Sequence, residues 1–424
     1  MTAGSVRNGG CRSSARAGTG GCAVTPSEPP VVRPKRPWLL RERRGVEPTT
    51  STELFFDLVF IFTTTQLAHY LIAHPDWHGA ARAALVLALV WFVWIYTAWG
   101  TNWLRPDQAP VRALLIALML GSLLLSATIP EAFAGGGLVF ALVYLAVQVG
   151  RTVFALWAVQ GHPWLVDGFQ KALPWLAGTS LLVVLGAVVG GAFQEALWAA
   201  AIVIEVIGLS TGFPVPGLGR SPAERWMVEG GHLAERCQAF ILIALGESIL
   251  VTGSTLAQHL DLTMAGAFVL AFAGSVALWW VYFARSAPAA AEVIARAGER
   301  TGGLSRLAFN YLHPVMVAGI IVTAAGDERL LREPGADTTT VSALFTLGGP
   351  ALFLAGHGAY TAVLWRIWPT GRIAAVVVLL ALVPVGVLLP LPVAACAALA
   401  TAVTVAVIVA DRFRGPRAVP PRPA

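Results

Sequence analysis

Charge is what this chain has least of. Only 12% of its 424 residues are Asp, Glu, Lys or Arg, where roughly 25% is ordinary for a soluble protein. Hydrophobic residues make up 56%, above the usual figure of about 45–50%, and the mean hydropathy is +0.70. Those values exclude a disordered chain and an ordinary soluble enzyme. Cysteine is scarce too: Cys11, Cys22, Cys237 and Cys396 are the only four. Cys11 and Cys22 have no histidine near them, which matches no metal-ligand spacing, and the four are too scattered for a disulfide framework. There is no Walker loop and no dinucleotide glycine pattern after a strand. An ATP-driven pump cannot be built from this chain alone, and no cofactor or metal is expected.

The little net charge there is sits in one place. The chain carries a formal +6 with a pI near 9.5, a balance that in a soluble domain suggests nucleic acid. Residues 1–52 hold nine basic and three acidic side chains and account for all of it; the other 372 hold twenty of each. A basic tail is implied, not a nucleic-acid-binding domain, and no nucleic acid is expected as a partner. The tail is rich in Gly, Ser, Pro and Arg and lacks apolar periodicity, so it cannot bury enough surface to offset its ordering entropy. It also lacks the apolar stretch of a signal peptide. The expected organisation is a disordered basic tail over 1–52, a membrane domain over 53–411 and a short basic tail over 412–424.

What the sequence has in abundance is long apolar runs. Twelve follow one another, at 53–73, 82–101, 112–130, 137–158, 172–192, 195–213, 235–257, 263–284, 307–325, 341–364, 373–389 and 391–410. Each is long enough to cross ~30 Å of hydrocarbon as a helix. The expected fold is all-α, a polytopic integral membrane helix bundle of about twelve spanning helices. With the tail in the cytoplasm, 25 of the 29 basic residues fall on cytoplasmic loops and ends. Arg82, Arg329 and Arg332 fall outside, and Arg151 lies within a helix. Basic residues favour the cytoplasmic side, so both termini are expected there, on a bacterial inner membrane. Residues 287–300 read as a short cytoplasmic helix and 327–340 as an acidic outer loop.

An ionisable residue inside a spanning helix costs from about 2.5 kcal/mol upward, so each one needs a reason. Glu53 and Asp57 open the first helix four residues apart and share a face. Glu53 lies near the boundary, where the helix dipole favours a carboxylate, and Asp57 lies a turn deeper. Gln66 is on another face. The seventh helix begins with Glu235 and Arg236, and Glu247 follows about 18 Å along the axis. Arg236 and Glu247 return to within about 20° of one face. Glu205 is near mid-depth in the sixth helix. Arg151 shares a stripe of the fourth with Tyr144 and Gln148 and is the expected counter-charge for Glu247, Glu205 or Asp57. The ninth helix carries Arg306, Asn310 and His313 on one stripe, followed by Pro314, which frees a carbonyl. His357 lies in the tenth, and two histidines at similar depth suit a proton relay. For each group the alternative is a structural hydrogen bond between helices. Asp57, Arg151, Glu205, Glu247, His313 and His357 form the candidate proton or substrate site, with Glu53, Gln66, Glu235, Arg236 and Asn310 as secondary members.

The first and seventh helices each open with a Glu and carry a polar group twelve or thirteen residues on (Glu53 to Gln66, Glu235 to Glu247). They stand six helices apart, as in the parallel repeats of many secondary transporters.

Two of these stretches resemble signatures of the bacterial low temperature requirement A family, LtrA. One is Glu53-Leu54-Phe55-Phe56-Asp57-Leu58-Val59-Phe60 and on to Gln66-Leu67. The other is His232-Leu233-Ala234-Glu235-Arg236 through Ala244-Leu245-Gly246-Glu247-Ser248-Ile249. Tyr311-Leu312-His313-Pro314 with Gly319, and Gly348-Gly349-Pro350 leading to His357, are similar to later family positions. The resemblance covers about 53–410. Gln238 departs from it, standing where a small residue is usual. The resemblance implies a multi-pass inner-membrane protein of a family named for a growth requirement in the cold, and it implies no substrate and no catalytic residue.

The residues themselves favour a proton-coupled secondary transporter of a small molecule, with Asp57 and Glu247 exchanging protons. Membrane lipids, protons and that substrate are the expected partners. The alternatives are a membrane-embedded enzyme acting on lipid or isoprenoid substrates and a membrane sensor or scaffold.

Overall fold

The computed structural model describes residues 35–41, 49–221, 230–256, 261–284, 286–296 and 301–413. Helix α1 (Ser51–Ala73) starts at a capping box in which Thr50 accepts from the Glu53 amide and Glu53 accepts from Thr50. Helix α2 (Trp77–Thr101) starts on Asp76, whose carboxylate accepts from the Gly79 amide at 2.6 Å. Then come α3 (Ala109–Ala127), α4 (Gly137–Ala158), α5 (Pro163–Val189) and α6 (Gly191–Thr211). The second part holds α7 (Gly230–Leu256), α8 (Leu262–Phe283), α9 (Ser286–Arg296) and α10 (Thr301–Ser305). A π-helical stretch, Arg306–Leu312, leads into α11 (His313–Arg332), and α12 (Thr340–Thr346), α13 (Gly348–Trp365), α14 (Thr370–Leu388) and α15 (Val393–Phe413) complete the chain.

Among the described residues, eleven helical segments of 19 to 30 residues are long and apolar enough to cross a membrane, with 303–332 and 340–365 each counted as one. They coincide with eleven of the twelve expected runs. The remaining run, 235–257, is the 27-residue α7, which carries His232, Glu235, Arg236 and Glu247. The outside of the bundle is apolar: Leu120, Leu181, Val188 and Val377 are all more than half exposed, while Glu53, Asp57, Arg151, Glu205, Arg236, His313 and His357 are buried. Apolar outside and ionisable inside is the arrangement expected when the solvent is lipid.

Three sequence expectations are corrected. Helix α5 starts at Pro163, well before the run at 172, because proline at a first helical position nucleates two polar turns that hydropathy overlooks. Helix α11 runs on to Arg332, so Asp327, Glu328 and Arg329 are helical and only a short loop remains of 327–340. The Glu328–Arg332 pair at 2.6 Å and the basic residues of the last turn support that extension. Residues 35–41, assigned to a disordered tail, are packed. Leu39 and Leu40 are buried with Trp103, Leu104, Val111 and Leu165. The Arg36 guanidinium stands 4.2 Å over the Trp157 ring and donates to the Trp157 carbonyl at 2.7 Å. Trp38-Leu39-Leu40 is too short an apolar island to register as periodic. The rest of the expected tails, 1–34, 42–48 and 414–424, lies outside the described residues.

The two parts repeat one packing order. In the first, α1 packs on α2 and α3, α3 on α4, α4 on α5, α5 on α6, and α6 returns to α2. In the second, α7 packs on α8 and α11, α11 on α13, α13 on α14, α14 on α15, and α15 returns to α8. The first turns of α1 and α7 contact each other through Glu53, Asp57, His232 and Arg236, so these two helices start from the same end. That is the neighbour order and direction of a parallel repeat. The end where α1 and α7 begin is called the tail end below.

Pro314 explains the π-helical stretch. It has no N–H for the Asn310 carbonyl, four residues back. The Trp91 indole donates to that carbonyl instead, at 2.9 Å. The His313 ring bonds the Ala308 carbonyl at 2.8 Å, five residues back, as the wider turn allows. Such insertions recur at functional positions.

Candidate functional site

Ionisable groups gather in three places in the tail-side half and one at the far end. The first lies on the seam between the two parts. Arg236 of α7 holds Asp57 of α1 with two hydrogen bonds, Nε to Oδ2 at 2.7 Å and Nη2 to Oδ1 at 2.5 Å. The Trp94 indole donates to the same carboxylate at 2.7 Å. Arg236 Nη1 donates to Thr101 Oγ1 at 3.0 Å and reaches Glu53 Oε1 at 3.4 Å. Glu53 also accepts from Arg41 at 2.9 Å, and His232 Nε2 lies 3.0 Å from it. Glu53, Asp57, His232 and Arg236 are at most 1% exposed. Two carboxylates thus meet two guanidiniums in a charge-assisted network. Arg236, not Arg151, is the counter-charge of Asp57. Depth along a helix cannot say which helix lies beside which, and this pair is 179 positions apart. Next to the network, Glu235 accepts from the Thr49 amide and hydroxyl at 3.2 and 3.1 Å, tying the entry of α1 to α7.

The second place lies within the first part, between α2, α4 and α6. The Tyr144 hydroxyl donates to Glu205 Oε2 at 3.1 Å, and Gln148 Nε2 donates to Glu205 Oε1 at 3.2 Å. Gln148 Oε1 accepts from Arg151 Nη2. Arg151 Nη1 donates to the Val93 carbonyl at 3.1 Å and to Thr97 Oγ1 at 3.4 Å. Glu205, Gln148 and Tyr144 are buried and Arg151 is 5% exposed. The stripe of Tyr144, Gln148 and Arg151 on α4 is therefore real, and it serves Glu205. Arg151 meets Glu205 through Gln148, not directly. In front of Arg151 opens a small cavity, about 50 Å³ to a water-sized sphere, bounded by α2, α4, α5, α6 and the π-helical stretch. Tyr96, Trp99, Phe169 and Phe213 form its aromatic walls, and Arg306, which donates to the Leu209 carbonyl at 2.8 Å, also faces it.

The third place is the counterpart in the second part. His313 Nδ1 donates to the Ala308 carbonyl, so its Nε2 accepts from the Tyr282 hydroxyl at 2.9 Å. Arg372 Nε can only donate, so His357 Nδ1 accepts from it at 2.8 Å, and His357 Nε2 donates to Ser286 Oγ at 3.0 Å. Arg372 also grips Asp411 with two bonds, at 3.3 and 2.6 Å. The Tyr282 and Tyr360 rings pack against both imidazoles, with centroids 5.0 to 6.2 Å apart. The two histidines do come together, with their tautomers fixed by neighbours.

At the far end, Asp327 accepts from Ser248 Oγ at 3.0 Å. Asn310 bridges seam and cavity: its side-chain oxygen accepts from Trp99 Nε1 at 3.1 Å. Gln66 is half-buried on the far part of α1, away from all three clusters. The Glu247 side chain lies outside the described residues. The Gln238 departure has a role, since its amide donates to the Ala287 carbonyl at 3.0 Å and ties α7 to α9.

The candidate residues therefore converge in three clusters and not in one. His232, Trp94, Arg372, Asp411 and Asp327 were missed. Arg372, Asp411 and Asp327 looked like loop charges, and only the neighbouring helix reveals their burial. Among the described residues no three His, Cys, Asp or Glu side chains stand close enough to hold a metal ion.

No solved structure matches the chain. A Rhizobium meliloti (strain 1021) protein named "Uncharacterized protein RA0937" is 36% identical over 362 residues, which is 85% of this chain and 88% of the relative. The model of the bacterial low temperature requirement A protein matches residues 49–409. That span begins just before the Glu53–Asp57 segment and takes in all three clusters but Arg41 and Asp411; the chain belongs to the LtrA family.

Proposed function

We propose that this LtrA protein is a proton-coupled secondary transporter of a bacterial inner membrane, with α7 as a twelfth spanning helix and both termini in the cytoplasm. The observation that carries the reading is the cavity in the first part, with the buried Glu205 carboxylate one hydrogen-bonded residue behind its wall. A mostly apolar pocket with a few polar groups in its wall suits a small molecule. Intramembrane carboxylates beside such cavities mark proton pathways, and two parallel halves are a recurrent transporter plan. Glu205 takes the proton-exchange role first expected of Asp57, both of whose oxygens are held by Arg236. The length of α7, about 40 Å at 1.5 Å per residue, and its packing on α1, α8 and α11 support counting it as a span.

Reconstitution into liposomes tests the reading. A pH gradient is expected to drive net uptake by the wild type and to lose that power in Glu205→Gln, while exchange of substrate down its own gradient persists. Gradient-driven uptake by Glu205→Gln at the wild-type level overturns it.

A further inference from the structure

We infer that the cavity facing Arg151 binds an organic anion, a carboxylate or phosphate head on an apolar body. The inference deepens the transport reading by naming the substrate class, but the binding it asserts stands or falls separately.

The sign of the ligand comes from the wall. Among the described residues lining the cavity, the charged ones are Arg151 and Arg306, and none is acidic or a histidine. The contacts of Arg151 strengthen the case. Its guanidinium donates to a carbonyl, a hydroxyl and an amide oxygen, all neutral acceptors. A buried cation with only neutral partners is poorly compensated, and an anion arriving in front of it supplies what the protein leaves out. The fork of an arginine also suits the two or three oxygens of a carboxylate or phosphate.

The body of the ligand comes from the remaining wall. Tyr96, Trp99, Phe169 and Phe213 offer apolar faces, and a second, smaller space adjoins through Tyr96, Gly100, Arg151, Thr152 and Phe169. An inorganic ion leaves those walls uncovered, whereas an aryl or short alkyl group covers them. The Tyr96 hydroxyl is buried without a hydrogen bond of ordinary length, which places a polar atom in the same wall.

Glu205 makes the site conditional. Its carboxylate meets Arg151 only through the Gln148 amide, which donates to Glu205 and accepts from Arg151. A ligand anion and an ionised Glu205 then compete for one guanidinium across that amide. Ligand and proton bind together as a result, which makes the coupling a symport.

The test is equilibrium binding of radiolabelled octanoate to the full-length protein in a non-ionic detergent. The expected result is saturable binding, with at least tenfold weaker affinity in Arg151→Gln. Gly100→Leu guards against a folding artefact. Gly100 lines the cavity, and a Cβ there meets nothing within 4 Å, so the larger side chain fills the space and leaves the packing intact; it too should weaken binding at least tenfold. Octanol should not compete. Phenyl phosphate and dioctanoyl phosphatidic acid should both compete, and whichever does so at lower concentration assigns the anion to the soluble or the lipid pool. Equal competition by octanol, preference for octylammonium, or unchanged affinity in both variants overturns the anion site. Anion binding by a protein that moves no protons retires the transport reading alone. Proton-driven uptake that ignores Gly100→Leu retires the site alone.

Discussion

Helix α4 of the first part and α14 of the second each bury an arginine in the tail-side half of the bundle, and the two are treated differently. Arg372 is closed off: Asp411 takes two of its donors and His357 a third. Arg151 faces a carbonyl, a hydroxyl and an amide, with a cavity in front. The same packing order thus carries one cluster whose charges are satisfied internally and one whose charge is left for something else. On the function proposed above, the second part supports and the first binds the ligand. Two single positions differ as sharply: a Cβ at Gly319 would lie 2.4 Å from the Phe353 amide nitrogen where α11 crosses α13, whereas a Cβ at Gly100, beside the cavity, meets nothing within 4 Å.

The seam that joins the halves is where substitution should do most damage. Asp57→Ala leaves Arg236 buried beside one more distant carboxylate, and breaking a buried pair from one side costs about 3–5 kcal/mol. The expected outcome is loss of folded protein on purification, or a large drop in thermal midpoint in detergent. A midpoint within a degree or two of the wild type would show that the halves hold together without the network.

The next effect contrasts the two arginines directly. Arg372→Met strands Asp411 and removes a donor from His357, so a loss of about 3 kcal/mol is expected. Asp411 keeps some access to solvent, with 15% of its side chain exposed, which holds the loss to the lower part of the range. Arg151→Gln strands no carboxylate directly, and its cost should stay near 1 kcal/mol. Denaturation midpoints measured side by side decide the point. Equal losses would mean that Arg151 is as structural as Arg372 and that the contrast between the halves is one of appearance.

How much of this was legible from the residues depends on what kind of information each feature needs. The apolar helices are written in composition, because each must be apolar for its own length, and eleven of them coincide with expected runs, with α5 and α11 extending well past the expected bounds. The short docked segment around Leu39 was missed because three apolar residues carry no period. Among the polar groups, the stripe of Tyr144, Gln148 and Arg151 was readable from helical spacing, and so was the carbonyl freed by Pro314. The pairing of Arg236 with Asp57 was not, because it depends on which helices become neighbours. Arg372 and Asp411 were hidden for the same reason: each lies at a helix end, where a charge looks solvated until a neighbouring helix buries it. The cavity was the least legible of all, since it is a space between five elements and no single element encodes it.

The smallest effect is the sharpest on packing. Gly319→Ala puts a methyl group into backbone that approaches too closely to yield by a side-chain rotation, so α11 and α13 must separate. Overpacking of that kind costs about 1–3 kcal/mol. Gly100→Ala puts the same methyl group into open space in the last turn of α2 and restricts the unfolded chain, which stabilises by roughly 0.4–1 kcal/mol. One substitution should therefore lower the thermal midpoint and the other raise it slightly. A shared sign would break the comparison. If both destabilise, the space beside Gly100 is filled in the working protein. If both stabilise, the α11–α13 crossing has slack, and the rigidity assigned to the second half has to come from the Arg372 cluster alone.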